Sequence, residues 1–145
     1  MTSVVVDASV AAKWLFPSKD EPLVDEAHQL LARYVTGELR LIVPDLFWAE
    51  IGSYLWKSVR LGRCTETTAR AALELLKERG FPTSPSLPLI EAAFGIATDF
   101  GRTVYDSLYV ALAVISKAQL VTADEKLANA LGRSLPVKWL GTAQP

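Results

Sequence analysis

Cysteine, histidine and methionine each occur once in these 145 residues. The lone Cys64 excludes an internal disulfide and a cysteine-built zinc site, and fits a reducing compartment such as the cytoplasm. The one imidazole, His28, sits among Asp25, Glu26 and Gln29 on an amphipathic pattern and reads as solvent-facing, which leaves zinc without a ligand set. No G-x-S-x-G elbow is present, so a covalent serine mechanism has no footing. Nowhere do about 18 uncharged apolar residues run together, so no membrane span is expected. The apolar start "MTSVVVDASVAAKWLF" lacks a basic leader region and is interrupted by Asp7 and Lys13, unlike a secretory signal. Fifteen Lys and Arg stand against sixteen Asp and Glu, a net charge of -1 with no basic run. Nothing overt therefore advertises nucleic acid or an anionic membrane, although local patches matter more than the sum.

What is present is a core. Half of the residues are hydrophobic and 21% are charged, the balance of a folded domain, and 145 residues suffice for one. "VVV" (4–6) reads as a strand buried on both faces. "SVAAKWLF" follows as a short helix, with Ser9 as its expected N-cap and Pro17 as its stop. "PLVDEAHQLLARYVTG" repeats apolar residues at helical spacing up to Gly37, and "LRLIVP" is a second strand. An aromatic-rich helix is expected from Asp45 to about Arg60, an amphipathic one from Thr65 to Gly80, and two more after Pro88 and in "YDSLYVALAVISKA". "QLVTAD" and "PVKWLG" read as strands flanking the short helix "EKLANALG", with a minor strand near Phe81–Ser84. "FPTSPSLP" (81–88) is too short for a linker and reads as a loop, so residues 1–145 are expected to form one domain. Strands alternating with helices predict an α/β fold, a central parallel sheet covered by helices on both faces.

Such a fold gathers its chemistry beyond the carboxyl ends of the strands; two acids fall there directly and two more are candidates to join them. Asp7 directly follows "VVV", Asp124 follows "LVT", Asp106 opens a buried helix, and Glu50 lies inside the aromatic helix among Phe47, Ile51, Tyr54 and Leu55. Singly, each has a plain structural explanation: helix capping for the three aspartates, and a pairing with Lys57 or Arg60 for Glu50. Jointly they predict a site, because converging carboxylates repel one another unless a cation intervenes. Hard oxygen donors suit Mg²⁺ or Mn²⁺, with water and substrate phosphate filling the rest of the shell.

In "VVDASVAAKWLF", "VPDLFWAEIGSYLWK", "RTVYDSLYVALA" and "LVTADEKLANAL", taken in that order, the chain resembles a PIN domain, most closely the VapC-type toxins. The resemblance implies a three-layer α/β/α sandwich and a Mg²⁺- or Mn²⁺-dependent ribonuclease that hydrolyses RNA by a metal-activated water. It carries the family's acidic quartet onto Asp7, Glu50, Asp106 and Asp124, with Asp7 and Asp106 the most regular metal ligands. It also implies a homodimer contact and a groove for a cognate antitoxin protein, and the aromatic surplus around Trp48 and Trp56 suits such interfaces. Ser9 and Thr122 lie two residues from Asp7 and Asp124 and are expected to orient a carboxylate or a bound water. Lys13, Arg102 and Lys126, near quartet members in sequence, are the expected contacts to RNA phosphates. Two rivals share the strand-then-Asp pattern. A dehalogenase-like phosphatase wants a second Asp where this chain has Ser9; a receiver-like or other phosphate-handling fold wants an acidic pair and a late Lys that have no place here. A non-catalytic module of the same fold is the third alternative, and the complete acidic set speaks against it.

Overall fold

The computed structural model describes residues 1–16 and 20–142. Five parallel strands form one sheet: β1 (Thr2–Val6), β2 (Leu39–Pro44), β3 (Thr83–Ser84), β4 (Gln119–Thr122) and β5 (Val137–Trp139), in the spatial order β3-β2-β1-β4-β5. Val4, Val5 and Val6 are wholly buried, as a central strand covered on both faces requires. The chain moves outward from β1 to β2 and β3, then returns across β1 to β4 and β5. A parallel sheet that reverses direction in this way sends its right-handed crossovers over opposite faces. One layer holds α1 (Ala8–Leu15), α2 (Val24–Val35), α3 (Leu46–Arg60) and α4 (Glu66–Glu78), which pack on one another. The return layer is built on α6 (Val104–Ile115), packed on β1, β2 and β4 and covered by α5 (Ile90–Phe100). A short α7 (Glu125–Leu131) joins β4 to β5.

Local chemistry explains most boundaries. Thr65 caps α4, its hydroxyl accepting from the Thr68 amide at 3.1 Å. α5 ends at Gly101 in the left-handed conformation that glycine adopts without penalty. Two caps differ from the sequence expectation. Asp7, not Ser9, caps α1, because the strand runs straight into the helix with no spacer residue. Thr103, not Asp106, caps α6, so Asp106 is the third helical residue rather than the first outside it. The expected stop at Pro17 lies outside the described residues. The 81–88 loop holds β3 and leads into a single 3-10 turn at Leu87–Leu89, fastened to the start of α3 because Asp45 accepts hydrogen bonds from the Ser86 amide (3.1 Å) and hydroxyl.

Every residue of α6 from Ser107 to Ala113 is buried, which a helix wedged between a sheet and another helix demands. The other layer packs around Phe81, whose ring lies 5.1 Å from Tyr34, 5.9 Å from Trp14 and 6.2 Å from Phe47. Trp14 is core, its indole N–H donating to the Ala27 carbonyl at 2.7 Å. Trp48 is half-buried and donates to Thr83 Oγ1 at 3.0 Å. Trp56 is 61% exposed, with the Arg60 guanidinium 5.2 Å from its ring centre.

Candidate active site

Asp7 stands at the carboxyl end of β1, where the sheet order reverses between β2 and β4. Its backbone is still extended, and its amide reaches the Val121 carbonyl at 3.4 Å. Its Oδ1 accepts from the Ser9 amide at 2.9 Å and from the Ser9 hydroxyl. The Thr122 hydroxyl lies near the same carboxylate and favours its charged form. Both hydroxyls are themselves held from the turn after β4: Ser9 Oγ accepts from the Ala123 amide at 3.1 Å, and Thr122 Oγ1 from the Asp124 amide at 3.0 Å. Ser9 therefore takes a backbone proton on one side and presents its own to Asp7 on the other. Only 9% of Asp7 is exposed, and burial pushes its carboxyl up from 3.8 to about 6 against the opposing pull of those hydrogen bonds.

Glu50 projects from the second turn of α3 and is half-buried. Its Oε1 accepts a 2.5 Å hydrogen bond from the Tyr109 hydroxyl of α6, fifty-nine positions away in sequence. The expected pairing with Lys57 or Arg60 does not form. Tyr109 is 3% exposed, and its oxygen lies near the Ala8 amide next to Asp7. One turn before Tyr109 on α6, Asp106 is half-buried, with Oδ2 3.6 Å from Arg102 Nη2. Asp124 is exposed and caps α7 through the Leu127 amide at 3.2 Å.

Asp7, Thr122 and Asp124 thus share one network at the end of β1 and β4, and Tyr109 links it to Glu50. Among the described residues no three Asp, Glu, His or Cys side chains stand close enough to hold one ion together. The donors present are nevertheless hard oxygens, and no lysine or arginine pairs with Asp7, Glu50 or Asp124 among the described residues. That chemistry fits a divalent ion of the Mg²⁺ class, which takes one or two carboxylates and keeps water on its remaining positions. His28 is exposed on α2 and Cys64 is a half-buried free thiol, so neither softens the donor set.

The cations divide. Lys13 is corrected: it is buried, with Nζ 3.1 Å from Glu21 Oε1 and 2.7 Å from the Pro22 carbonyl, so it pins the chain before α2 rather than waiting for a phosphate. Arg102 borders the site on Asp106, and its Nε is buried with no hydrogen-bond partner. Lys126 is exposed in the first turn of α7. Sequence reasoning passed over Tyr109, which reads as core within "SLYVALA"; the signal available was that a buried phenol needs a hydrogen-bond partner.

The PIN domain family matches residues 4–131 of this chain. Ribonuclease VapC3 of Pyrobaculum aerophilum is 34% identical over 128 residues, spanning 87% of this chain and 92% of that protein. Among solved structures, PAE2754 from Pyrobaculum aerophilum superposes with a TM-score of 0.70 at 27% identity, covering 97% of this chain and 92% of that one. A toxin–antitoxin complex from Klebsiella pneumoniae gives 0.62 at 17% identity over 93% and 95%, a likeness of fold alone. A reversing parallel sheet with a buried aspartate at the reversal, matched over most of its length by one family and by a close curated relative, places the chain in the PIN domain family, among the VapC-type proteins.

Proposed function

We infer that this chain is a divalent-metal-dependent endoribonuclease, the toxin of a toxin–antitoxin pair, whose 145 residues form one catalytic domain. The observation that carries the reading is Asp7: a buried carboxylate at the reversal of the sheet, braced by the Ser9 amide and hydroxyl, with no cationic side chain paired with it among the described residues. A charge so placed is costly to keep unless a cation visits it. Asp7 and Asp106 are the proposed metal ligands, with Glu50 and Asp124 acting through bound water. What a bound Mg²⁺ or Mn²⁺ supplies is neutralisation of the phosphodiester and a lowered pKa for the attacking water. Ser9 and Thr122 fix the Asp7 carboxylate so that it does not rotate when the substrate arrives. Arg102 and Lys126 are the proposed contacts to RNA phosphates, which makes binding weaken as salt rises. The attacking water replaces the leaving oxygen on phosphorus, and no enzyme-linked intermediate is needed.

The proposed partners are an antitoxin protein and a second copy of the chain. Exposed apolar surface that partners of this kind would cover lies on α3, at Trp56, and along Leu87, Ile90 and Phe94. No helix among the described residues is long and apolar enough to cross a membrane; the cytoplasm is the proposed location, in keeping with a single free thiol and an RNA substrate.

The test is cleavage of a structured RNA by purified, antitoxin-free protein with Mn²⁺ or Mg²⁺ and with EDTA. Cleavage should need the metal, and Asp7→Asn and Asp106→Asn should each reduce it to background while the circular dichroism spectrum stays unchanged. Undiminished cleavage by either variant removes that residue from the site, and metal-independent cleavage removes the mechanism.

A further inference from the structure

We propose that Tyr109 is the positioning residue of this site: its phenol holds Glu50 by one oxygen against the Asp7–Ala8 corner and leaves the other oxygen to the metal's bound water. The inference rests on the metal-nuclease reading above and adds a residue to it. Three observations carry it. The Tyr109 hydroxyl donates to Glu50 Oε1 at 2.5 Å, the short distance of a charge-assisted bond. The same phenol oxygen lies near the Ala8 amide and within reach of the Asp7 charge, which sets the Glu50 bond beside the Asp7–Ala8 corner. Tyr109 belongs to the fully buried part of α6, so its ring is locked by packing and its hydroxyl has little freedom to wander.

A structural role alone does not account for this arrangement. A phenylalanine would fill the same space, and half-buried Glu50 can meet water without a phenol. What the hydroxyl adds is orientation: it ties Glu50 of α3 to α6, the helix that also carries Asp106, beside the corner where Asp7 leads into α1.

The experiment is a double-mutant cycle on Mn²⁺ affinity, measured by calorimetry on wild type, Tyr109→Phe, Glu50→Gln and the double variant. Tyr109→Phe should weaken Mn²⁺ binding about tenfold or more, as loss of a supporting hydrogen bond around a metal does. In the Glu50→Gln background the same change should have no further effect, because nothing is left to position. Cleavage by Tyr109→Phe should fall in kcat with KM for RNA unchanged. Wild-type affinity in Tyr109→Phe, or an equal loss in both backgrounds, overturns the proposal while leaving the metal site standing. No Mn²⁺ binding by wild type overturns the site itself, and the proposal with it. Should Tyr109→Phe not fold, the hydroxyl proton of Tyr109 in the wild-type NMR spectrum serves instead: it should shift when Mg²⁺ is added, and an unmoved resonance overturns the proposal.

Discussion

Asp7 ends a strand, caps a helix and carries a charge under cover, and the last of these works against the other two. With its carboxyl near 6 in the native protein against 3.8 when free, the folded state binds more protons than the unfolded state between those values. Stability of the metal-free protein should therefore decline as pH rises from about 4 to 6, the reverse of the usual carboxylate. Asp7→Asn keeps a good cap and removes the charge. In EDTA at pH 7 that variant should resist urea better than wild type, by about 3 kcal/mol at most, with the gap closing near pH 4. Equal stability at pH 7, or a gap that widens in acid, contradicts the burial argument. At this scale what the sequence made readable was placement: Asp7 at the end of β1, Asp124 after β4 and Asp106 in the first turn of α6, with Ser9 donating to Asp7. It misled at Lys13, because nearness in sequence was taken for nearness in space. Six helical positions carry a side chain roughly 120° round and about 9 Å along the axis, away from the start of the helix.

The elements obey their end signals with instructive exceptions. Most glycine stops are left-handed, as at Gly37, Gly62, Gly80 and Gly101, but Gly132 after α7 is not. Its role is close approach: a Cβ there would lie 2.6 Å from the Ala128 carbonyl oxygen and 3.0 Å from that of Val137. Gly132→Ala should destabilise the protein by about 1–3 kcal/mol, since backbone on both sides must give way. Gly95, inside α5 with nothing within 4 Å of an added Cβ, is the matched control. Gly95→Ala should stabilise by about 0.5–1 kcal/mol. Thermal melts of the two variants decide; shifts of the same sign would mean that local packing does not separate these positions. Helix and strand segments were legible from period and punctuation throughout. The true caps of α1 and α6 were not, because a Ser or Asp two or three residues from an Asp or Thr offers the same chemistry, and only backbone geometry chooses between them.

For the molecule as a whole, alternation of strands and helices announced a parallel sheet, but nothing in the letters orders five strands; the order follows from which faces the helices can cover. A site built at the sheet's reversal from the ends of several elements should behave as one thermodynamic unit. Saturating Mn²⁺ or Mg²⁺ binds only the folded chain, so at about a hundredfold excess over Kd it should add about 2.7 kcal/mol and raise Tm on the order of 5–10 °C. The shift should vanish in Asp7→Asn; a wild-type Tm indifferent to either ion would speak against a preformed site. The pairing of β1 with β4, Val6 beside Val121, has a further consequence. The first strand made waits for a neighbour made more than a hundred residues later, and Thr122 and Asp124 arrive only with that neighbour. A nascent chain that has not yet released β4 from the ribosome therefore holds Asp7 with Ser9 alone beside it, and the site cannot be assembled before residue 124 has emerged.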